Sequence, residues 1–470
     1  MSPPAWVEDA VFYAIFPDRF GRRPWERSPP WNEQHLEPWE APPRLRSYKG
    51  GNLGGITDQL PRLVDLGITA LLLTPVFSSS SHHGYKPIDH YEVAPMLGGA
   101  RALEELLQAA HQVGLKVVLD AVFNHVSWGF PAFLDVLENQ ERSPWRDWFL
   151  IDRFPIDASE QTQSPGYRCW NGRPSMPELN HAHPQVQAYL LEVAEHWVRR
   201  GIDGWRFDAP AEVGDAHFWR TLRERVHRIN PDVYLLGEIW TEATRWLDGT
   251  QWHGVTNYPL MFIIQRFIGG DRVRADQVLK GAHKEPPLDA PAFAEVVDRL
   301  HGLYPAAVPL NFLDNADTPR FRTLVGDDAP TVRLASLLLF TLPGAPCLYY
   351  GDEVGLGGGP DPDNRRGFPS PERWDSACLE EHRRLIHLRR SSTALRRGTH
   401  RRLYAAGGLY VFERRAPDEH LVVAINAAEA EADVALQVEA TDRGALRFGT
   451  GAWSEGRLLL PARSGAVFAA

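Results

Sequence analysis

The chain has 470 residues, of which 43% are hydrophobic and 23% are charged, a composition typical of a globular protein with one large and one smaller domain. Its net charge of −10 comes from interspersed acidic and basic residues, which argues against nucleic acid or an anionic membrane as a partner. The three cysteines lack metal-site spacing and do not suggest a disulfide framework. Neither a signal peptide nor a membrane-spanning run is found, so we expect a cytoplasmic enzyme.

Short apolar runs alternate with amphipathic stretches from residue 11 to about residue 390. The second run, 68–73, is almost continuously apolar, as is typical of a strand buried on both faces of a parallel sheet. Eight predicted strands, mostly separated by helices, indicate an α/β fold, the parallel (β/α)₈ or TIM barrel. The predicted strands are 11–16, 68–73, 115–122, 202–207, 233–238, 253–258, 308–313 and 346–350, and the predicted helices are 56–66, 101–113, 184–199, 216–228, 330–341 and 377–390, with further helical stretches in 272–303.

Three segments depart from this alternation. A Pro- and Trp-rich connection, 22–48, has no helical period and is predicted to be an ordered loop. Residues 126–180, after the third strand, form a long excursion without strong periodicity. From about residue 398 short strands alternate with turn residues, which predicts a C-terminal antiparallel β-sandwich over 398–470. The barrel would then consist of residues 1–125 and 181–397.

Polar side chains stand at the carboxyl ends of several predicted strands, where barrels of this kind place their active sites. One such residue would mean little, because a lone Arg-x-Asp pair is more often a surface salt bridge. Three carboxylates around one rim, together with an Arg and a His, are hard to explain as solvated surface. The residues are Asp120, Asn124 and His125 after the third strand, Arg206 and Asp208 at the fourth, Glu238 and Trp240 after the fifth, and Asp317 after the seventh.

The carboxylates of Asp208, Glu238 and Asp317 suit glycoside cleavage. Arg206 lies two residues before Asp208 on a strand, so it points to the same face and is expected to keep Asp208 ionised. One carboxylate would attack the anomeric carbon while a second, protonated one donates to the leaving oxygen. Because neighbouring strand ends bring Asp208 and Glu238 close together, we expect a retaining mechanism, with Asp317 holding ring hydroxyls.

The blocks around these residues make the sequence resemble the α-amylase family, glycoside hydrolase family 13. The resemblance implies that Asp208 is the nucleophile, Glu238 the general acid/base and Asp317 the transition-state stabiliser. It also implies that the excursion 126–180 is a domain B that walls the cleft, and that Tyr85 is the stacking platform for the attacked glucose. The matching blocks are 120–125, 176–180, 204–208, 237–240, 311–320 and 343–355, and the implied substrate-binding residues are Tyr85, Asp120, His125, Arg206, Glu212, Trp240, Asp361 and Arg365.

Within that family the sequence is most similar to the neopullulanase, cyclomaltodextrinase and maltogenic amylase group. Residues 176–180 resemble the MPKLN block of the group, and 257–259 and 361–366 fit it as well. Glu212 matches a position tied to the balance of hydrolysis and glycosyl transfer. The group usually carries an additional N-terminal β-domain that helps to form its dimer, whereas strand one here begins near residue 11, so we expect a monomer or a weak homodimer.

Two substitutions depart from the family pattern. Ala316 stands where the family has a His that donates hydrogen bonds to sugar hydroxyls. Losing one such donor costs about 3 kcal/mol of transition-state stabilisation, roughly a hundredfold in rate. Lys86 stands in a tyrosine-centred block where the family usually has Asp. For Ala316, either another residue supplies the missing donor, or the preferred substrate differs, or the enzyme is slow.

No cofactor is required by this chemistry, and metal ligands are weakly indicated. Asn124 aligns with a calcium ligand in many relatives, so calcium is compatible with the sequence, although the resembled group often lacks that site. The pair His82 and His83 could suggest a metal, but a solvated loop beside the cleft is the preferred interpretation. Trp240 suits either stacking on the leaving-group sugar or filling the core.

The expected function is a retaining hydrolase of α-1,4-glucosidic bonds in maltodextrins, cyclodextrins or pullulan, with some transglycosylation. One alternative is an α-glucosyltransferase or isomerase on the same scaffold, in which a sugar outcompetes water for the glycosyl-enzyme. A second alternative is a weakly active α-glucan-binding protein, which is motivated by Ala316. The partners expected in each case are α-glucan oligosaccharides.

Overall fold

The computed structural model describes residues 2–24, 36–159, 161–279, 284–438 and 443–470. The part of the predicted loop 22–48 that covers 25–35 lies outside these described residues. Among the described residues, helices that are both long and apolar enough to cross a membrane are absent.

Eight parallel strands form a nearly closed barrel, which confirms the predicted fold. Their order around the barrel is β8-β7-β6-β5-β2-β1-β10-β9, and a parallel bridge between Thr256 and Leu310 joins the two ends of this series. Strands β3 (Phe77–Ser79) and β4 (Pro87–Val93) form a separate hairpin after β2. The barrel strands, numbered with them along the chain, are β1 (Phe12–Ile15), β2 (Ala70–Leu73), β5 (Lys116–Val122), β6 (Gly204–Asp208), β7 (Tyr234–Gly237), β8 (Gly254–Val255), β9 (Leu310–Asn311) and β10 (Ala345–Tyr349).

Strand residues are buried on both faces, as the continuous apolar runs predicted. In β5, Val118 faces the barrel interior with Tyr234 and Leu236, whereas Val117 and Leu119 belong to the larger cluster between strands and helices. This two-sided burial is the physical reason why parallel barrel strands read as unbroken apolar sequence.

Helices follow the strands as predicted, with bounds shifted by a few residues. Several begin after a side chain that accepts a backbone N–H, such as Asn52, which accepts from Gly55, and Asp328, which accepts from Thr331. The helices are α1 (Ala5–Glu8), α2 (Pro17–Phe20), α3 (Leu53–Leu66), α4 (Gly99–Gln112), α5 (Pro131–Asn139), α6 (Pro184–Arg199), α7 (Ala216–Ile229), α8 (Tyr258–Ile264), α9 (Ala290–Leu303), α10 (Phe321–Leu324), α11 (Ala329–Thr341), α12 (Ser376–Ser391) and α13 (Thr393–Arg397).

The sixth predicted strand, 253–258, is much shorter in the structure. Strand β8 ends at Val255, and α8 begins at Tyr258, where a strand end had been predicted. The side chain of Asn257 accepts from the backbone N–H of Leu260, and Pro259 occupies the first turn, both of which are helix-start signals. The apolar run that follows is too short for its period to decide between strand and helix.

The excursion contains more regular structure than its sequence predicted. Helix α5 lies within it, and isolated bridges pair Phe149 with Leu179 and Ile151 with Tyr167. A further bridge between His125 and Glu178 ties the end of the excursion to the residues that follow β5. The excursion is thus fastened next to the carboxyl end of the barrel.

The C-terminal segment forms two antiparallel sheets, as predicted for 398–470. One sheet has five strands in the order β11-β12-β13-β18-β15, and the other has three in the order β14-β17-β16. Side chains of both sheets, including Val422 and Trp453, share one apolar cluster. The strands are β11 (Thr399–Ala406), β12 (Leu409–Ala416), β13 (Glu419–Asn426), β14 (Ala432–Ala435), β15 (Ala445–Gly449), β16 (Ala452–Ser454), β17 (Arg457–Leu460) and β18 (Ser464–Ala469).

Candidate active site

Three adjacent strands bring the predicted polar residues to one end of the barrel. In the register of β5 and β6, Asp120 lies beside Arg206, and Val122 lies beside Asp208. Glu238 follows β7 directly, and its backbone N–H donates to the carbonyl of Phe207, which continues the ladder from β6. Strand order therefore places the carboxylates of positions 120, 208 and 238 around one centre.

That centre is the guanidinium of Arg206, which is buried and contacts all three carboxylates. Its Nη1 lies 2.8 Å from both oxygens of Asp120 and 3.1 Å from Oδ1 of Asp208, and its Nη2 lies 3.0 Å from Oε1 of Glu238. Burial alone would lower the pKa of Arg206, but the charges of Asp120 and Glu238 raise it well above its ordinary value. Arg206 is therefore a permanent cation that holds the cluster together.

One cation does not balance three carboxylates. Burial raises the pKa of Asp208 well above its usual range, the charge of Glu238 raises it further, and Arg206 opposes the rise without cancelling it. Burial also raises the pKa of Asp120 to about 6, although Arg206 and the hydroxyl of Tyr85 lower it. The expected ionisation of Asp208 therefore stays a prediction, and like charges this close disfavour joint ionisation of the cluster.

Asp208 and Glu238 remain within reach of a ligand. Their side chains are 12% and 9% exposed, which leaves them accessible but largely dry. Oε2 of Glu238 accepts from the backbone N–H of Ala209 at 3.1 Å, and Oε1 accepts from Nε1 of Trp240 at 3.1 Å. Ala209 has a φ of 43°, a left-handed conformation that is strained for a residue with a Cβ. This backbone turn directs its N–H from the end of β6 towards Glu238.

Asp317 lies on the loop after β9 with a more open environment, its side chain being 34% exposed. Nη2 of Arg365 lies 3.5 Å from Oδ1 of Asp317, and Nη1 of Arg365 lies 3.0 Å from Asp361. The backbone N–H of Asp317 donates to Oδ1 of Asn315 at 2.9 Å. The structure thus joins Asp317, Asp361 and Arg365 in one group.

Tyr85 and His125 form one side of the site. The hydroxyl of Tyr85 donates to Oδ2 of Asp120 at 2.8 Å, and Nε2 of His125 lies 3.0 Å from the carbonyl oxygen of Tyr85. His125 is fully buried, and burial lowers its pKa to about 4, so it is neutral at pH 7 and donates this hydrogen bond. Its ring stacks on Trp170 of the excursion, with centroids 5.4 Å apart. The sequence analysis did not single out Trp170, because the segment that contains it shows no regular spacing of apolar residues.

The other predicted site residues differ in their exposure. Glu212 is exposed on the loop after β6. Asn124 is buried, and its carbonyl accepts from the backbone of Leu179. Among the described residues, clusters of three or more His, Cys, Asp or Glu able to hold a metal are absent, and calcium at Asn124 stays a prediction. His82 and His83 are partly buried rather than solvated, and His83 stacks on Tyr85.

The two unusual residues have defined surroundings. Ala316 is 6% exposed, and its carbonyl accepts from Nε of Arg365 at 2.9 Å, but its methyl group offers no hydrogen-bond donor. Nζ of Lys86 donates to Oγ of Ser175 at 2.8 Å, which links the residues between β3 and β4 to the excursion. Lys86 therefore connects the excursion to the residues between β3 and β4 through a hydrogen bond that it donates to Ser175. The Asp usual in the family has no hydrogen to donate to that oxygen when it is ionised.

Comparisons with known proteins agree with this geometry. A model of the α-amylase catalytic domain matches residues 14–375, and one of the α-amylase C-terminal domain matches 398–464. The cyclomaltodextrinase of Geobacillus thermopakistaniensis is 38% identical, with 95% of this chain and 74% of that protein covered. Neopullulanase 2 of Thermoactinomyces vulgaris is 39% identical, with 93% and 72% covered. The crystal structure of a debranching enzyme from Nostoc punctiforme is 44% identical, has a TM-score of 0.92 and is covered over 100% of both chains.

Proposed function

The chain belongs to the α-amylase family, in which it is a glucan hydrolase related to cyclomaltodextrinases and debranching enzymes, and on that premise we propose that it cleaves α-1,4-glucosidic bonds with retention of configuration. The substrates would be maltodextrins, cyclodextrins or pullulan, with some transglycosylation. The observation that carries this proposal is the placement of Asp208 and Glu238 on neighbouring strand ends, joined by Arg206 and by the N–H of Ala209.

In the first step, a carboxylate oxygen of Asp208 attacks the anomeric carbon. At the same time, the bond between the anomeric carbon and the glycosidic oxygen breaks. Glu238 gives its proton to that leaving oxygen, so that the released sugar is neutral. In the second step, water attacks the same carbon, the bond to Asp208 breaks, and Glu238 takes a proton from the water. The pair therefore needs one proton for two carboxyls, and the raised pKa of Asp208 beside Glu238 supports such sharing in the resting site.

The remaining residues have supporting roles in this proposal. Arg206 stabilises the carboxylate form of Asp208 when the shared proton lies on Glu238, and Asp317 with Arg365 binds ring hydroxyls. Trp240 is 39% exposed and has one free ring face, which suits stacking on the leaving-group sugar. Calcium has no step in this chemistry.

The similarity to a debranching enzyme over the whole of both chains favours a second candidate, the cleavage of α-1,6 branch linkages. Pullulan, in which maltotriose units are joined through α-1,6 bonds, separates the two candidates. We expect panose or isopanose as the main product, because both trisaccharides arise from α-1,4 cleavage that leaves each α-1,6 bond intact. Maltotriose as the main product would contradict the first candidate and support the second.

Glycosyl transfer is tested by the same assay at high maltose. Longer or rearranged sugars would support a transferase or isomerase, and Glu212, exposed on the loop after β6, is the residue proposed to influence this balance. Binding of α-glucans without any turnover would instead support the carbohydrate-binding alternative that Ala316 motivates.

Replacing Ala316 by His is expected to accelerate α-glucan cleavage by up to about a hundredfold. The imidazole would supply a donor to sugar hydroxyls, and one donor aimed at the transition state is worth about 3 kcal/mol. The measurement is kcat/KM on maltotriose for wild type and variant. Ala316→Leu is the matched control, because it adds volume without a donor and should give no gain. Equal rates for Ala316→His and wild type would mean that another group already supplies this contact.

A further inference from the structure

Tyr258 is a buried residue beside the active site for which the proposed mechanism has no role. It is the first residue of α8, its side chain is 0% exposed, and its ring packs edge to face on Phe312 with centroids 4.9 Å apart. Its hydroxyl lies at the boundary between this apolar interior and the carboxylate cluster, 3.4 Å from Oε1 of Glu238.

The hydrogen bonds of this hydroxyl have a fixed direction. Nδ2 of Asn315 donates to the oxygen of Tyr258 at 2.8 Å, so the phenolic hydrogen is left to donate to Glu238. Burial and the charges of Glu238 and Asp317 raise the pKa of Tyr258 well above its ordinary value, which keeps that hydrogen in place. Donors in series polarise one another, so Asn315 strengthens the bond from Tyr258 to Glu238.

Two further contacts fix the position of this chain of donors. The ring of Trp240 lies on the ring of Tyr258, with centroids 3.9 Å apart and an interplanar angle of 14°, while its Nε1 donates to the same oxygen of Glu238. At the other end, Oδ1 of Asn315 accepts from the backbone N–H of Asp317. The loops after β7 and β9 are thereby connected through Tyr258.

From this geometry we infer that Tyr258 is a positioning residue for Glu238, oriented by Asn315, and that it selectively supports the step in which Glu238 acts as an acid. This inference rests on the proposed function of Glu238. A donor on Oε1 stabilises the carboxylate more than the carboxylic acid. It therefore favours the state in which Glu238 has given its proton to the leaving oxygen, which makes Glu238 a stronger acid in the first step and a weaker base in the second.

The first test is the pH dependence of kcat/KM for the release of reducing ends from pullulan. In the free enzyme, the basic limb reports loss of the proton from the general acid. Tyr258→Phe removes only the donor, so it should raise the pKa of the basic limb by about one unit, given the strength of hydrogen bonds to charged groups. A purely structural role would lower the rate without moving this limb.

The second test uses α-maltosyl fluoride, whose leaving group needs no proton. The glycosyl-enzyme forms readily from it, and its hydrolysis depends on Glu238 as a base. Tyr258→Phe should therefore keep kcat on this substrate at or above the wild-type value, although it cleaves pullulan about tenfold more slowly. An equal, tenfold loss of kcat on both substrates would overturn the inference.

Tyr234→Phe is the matched control. Tyr234 is also fully buried in the barrel interior, and its hydroxyl donates to the carbonyl of Val308 at 2.8 Å, away from the carboxylates. This variant should keep the basic limb of the wild type. A shift of equal size in Tyr234→Phe and Tyr258→Phe would overturn the inference, because it would report general loosening of the barrel.

Asn315→Ala provides a second variant that leaves the aromatic packing intact. It should shift the basic limb in the same direction by a smaller amount, and the double variant with Tyr258→Phe should shift it no further than Tyr258→Phe alone. Additive shifts would overturn the series arrangement. A wild type without turnover of pullulan would contradict the proposed function, whereas an active wild type with an unmoved limb in Tyr258→Phe contradicts the inference alone.

Discussion

Asp208→Asn is expected to lower α-glucan hydrolysis by at least about 10⁴-fold, the scale seen when a nucleophile is removed from a cooperating group. The amide has the shape of the carboxylate but does not form the glycosyl ester. Glu238→Ala is expected to lower hydrolysis by about 10² to 10⁴-fold, the range of general acid/base catalysis. The measurement is the release of reducing sugar per folded molecule, with folding checked by circular dichroism.

The two variants should differ in their response to azide. With α-maltosyl fluoride as the donor, Glu238→Ala still forms the glycosyl-enzyme, since fluoride leaves without a proton. Azide then attacks the anomeric carbon and displaces the carboxylate of Asp208, giving maltosyl azide of retained configuration. Asp208→Asn should give none of this product. Formation of maltosyl azide of retained configuration by Asp208→Asn, or unchanged hydrolysis in either variant, would contradict the assigned roles.

Asp203→Asn is the matched control for Asp208→Asn. Asp203 precedes β6 at the opposite end of the barrel and is also buried, where it accepts from His111, Lys116 and the backbone of Val117. Loss of these bonds should lower the free energy of unfolding by about 1–3 kcal/mol. Turnover per folded molecule should remain close to that of the wild type, because no contact of Asp203 reaches the carboxylate cluster.

The sequence was sufficient to predict the barrel, because its signals are local. Unbroken apolar runs such as 68–73 follow from burial on both faces, whereas the predicted helix 56–66 began three residues late because its cap, Asn52, was not used. The order of strands around a barrel then brings Asp120, Arg206 and Glu238 together without any further information. This is why the main candidate residues could be named before the structure was known.

What the sequence did not predict depends on contacts between distant residues. The pKa of Asp208 is set by burial and by Glu238 as well as by Arg206, so the local Arg-x-Asp pattern describes only part of its electrostatic surroundings. Tyr258 was placed at a strand end, and nothing in its neighbourhood along the chain indicates Asn315 as its partner. Such three-body arrangements appear only when the loops after different strands are assembled.

Arg206→Met is expected to destabilise the protein by about 3–5 kcal/mol at neutral pH, the cost of breaking a buried ion-pair network from one side. Met has a similar length, so the loss comes mainly from the charge rather than from a cavity. Without the guanidinium, the carboxyl groups of Asp120, Asp208 and Glu238 would remain close together with no cation between them. In the wild type, the Nη atoms of Arg206 lie within about 3.1 Å of each carboxyl group. The measurement is denaturant unfolding of wild type and variant.

The pH dependence of that loss distinguishes a charge effect from a packing effect. Without Arg206, the folded-state pKa values of Asp120 and Asp208, already raised by burial, should rise further. A group with a raised folded-state pKa is most stabilising below its unfolded pKa, about 3.9 for Asp, and loses that contribution as the pH rises through the folded value. The destabilisation of Arg206→Met should therefore be smallest near pH 4 and grow above pH 6.

The control Arg383→Met removes an exposed partner of Asp65 and should change stability by at most about 0.5 kcal/mol. A loss in Arg206→Met that is the same at pH 4 and pH 7 would show that its side chain acts through packing, and would remove the electrostatic basis for placing Asp208 and Glu238 around one cation.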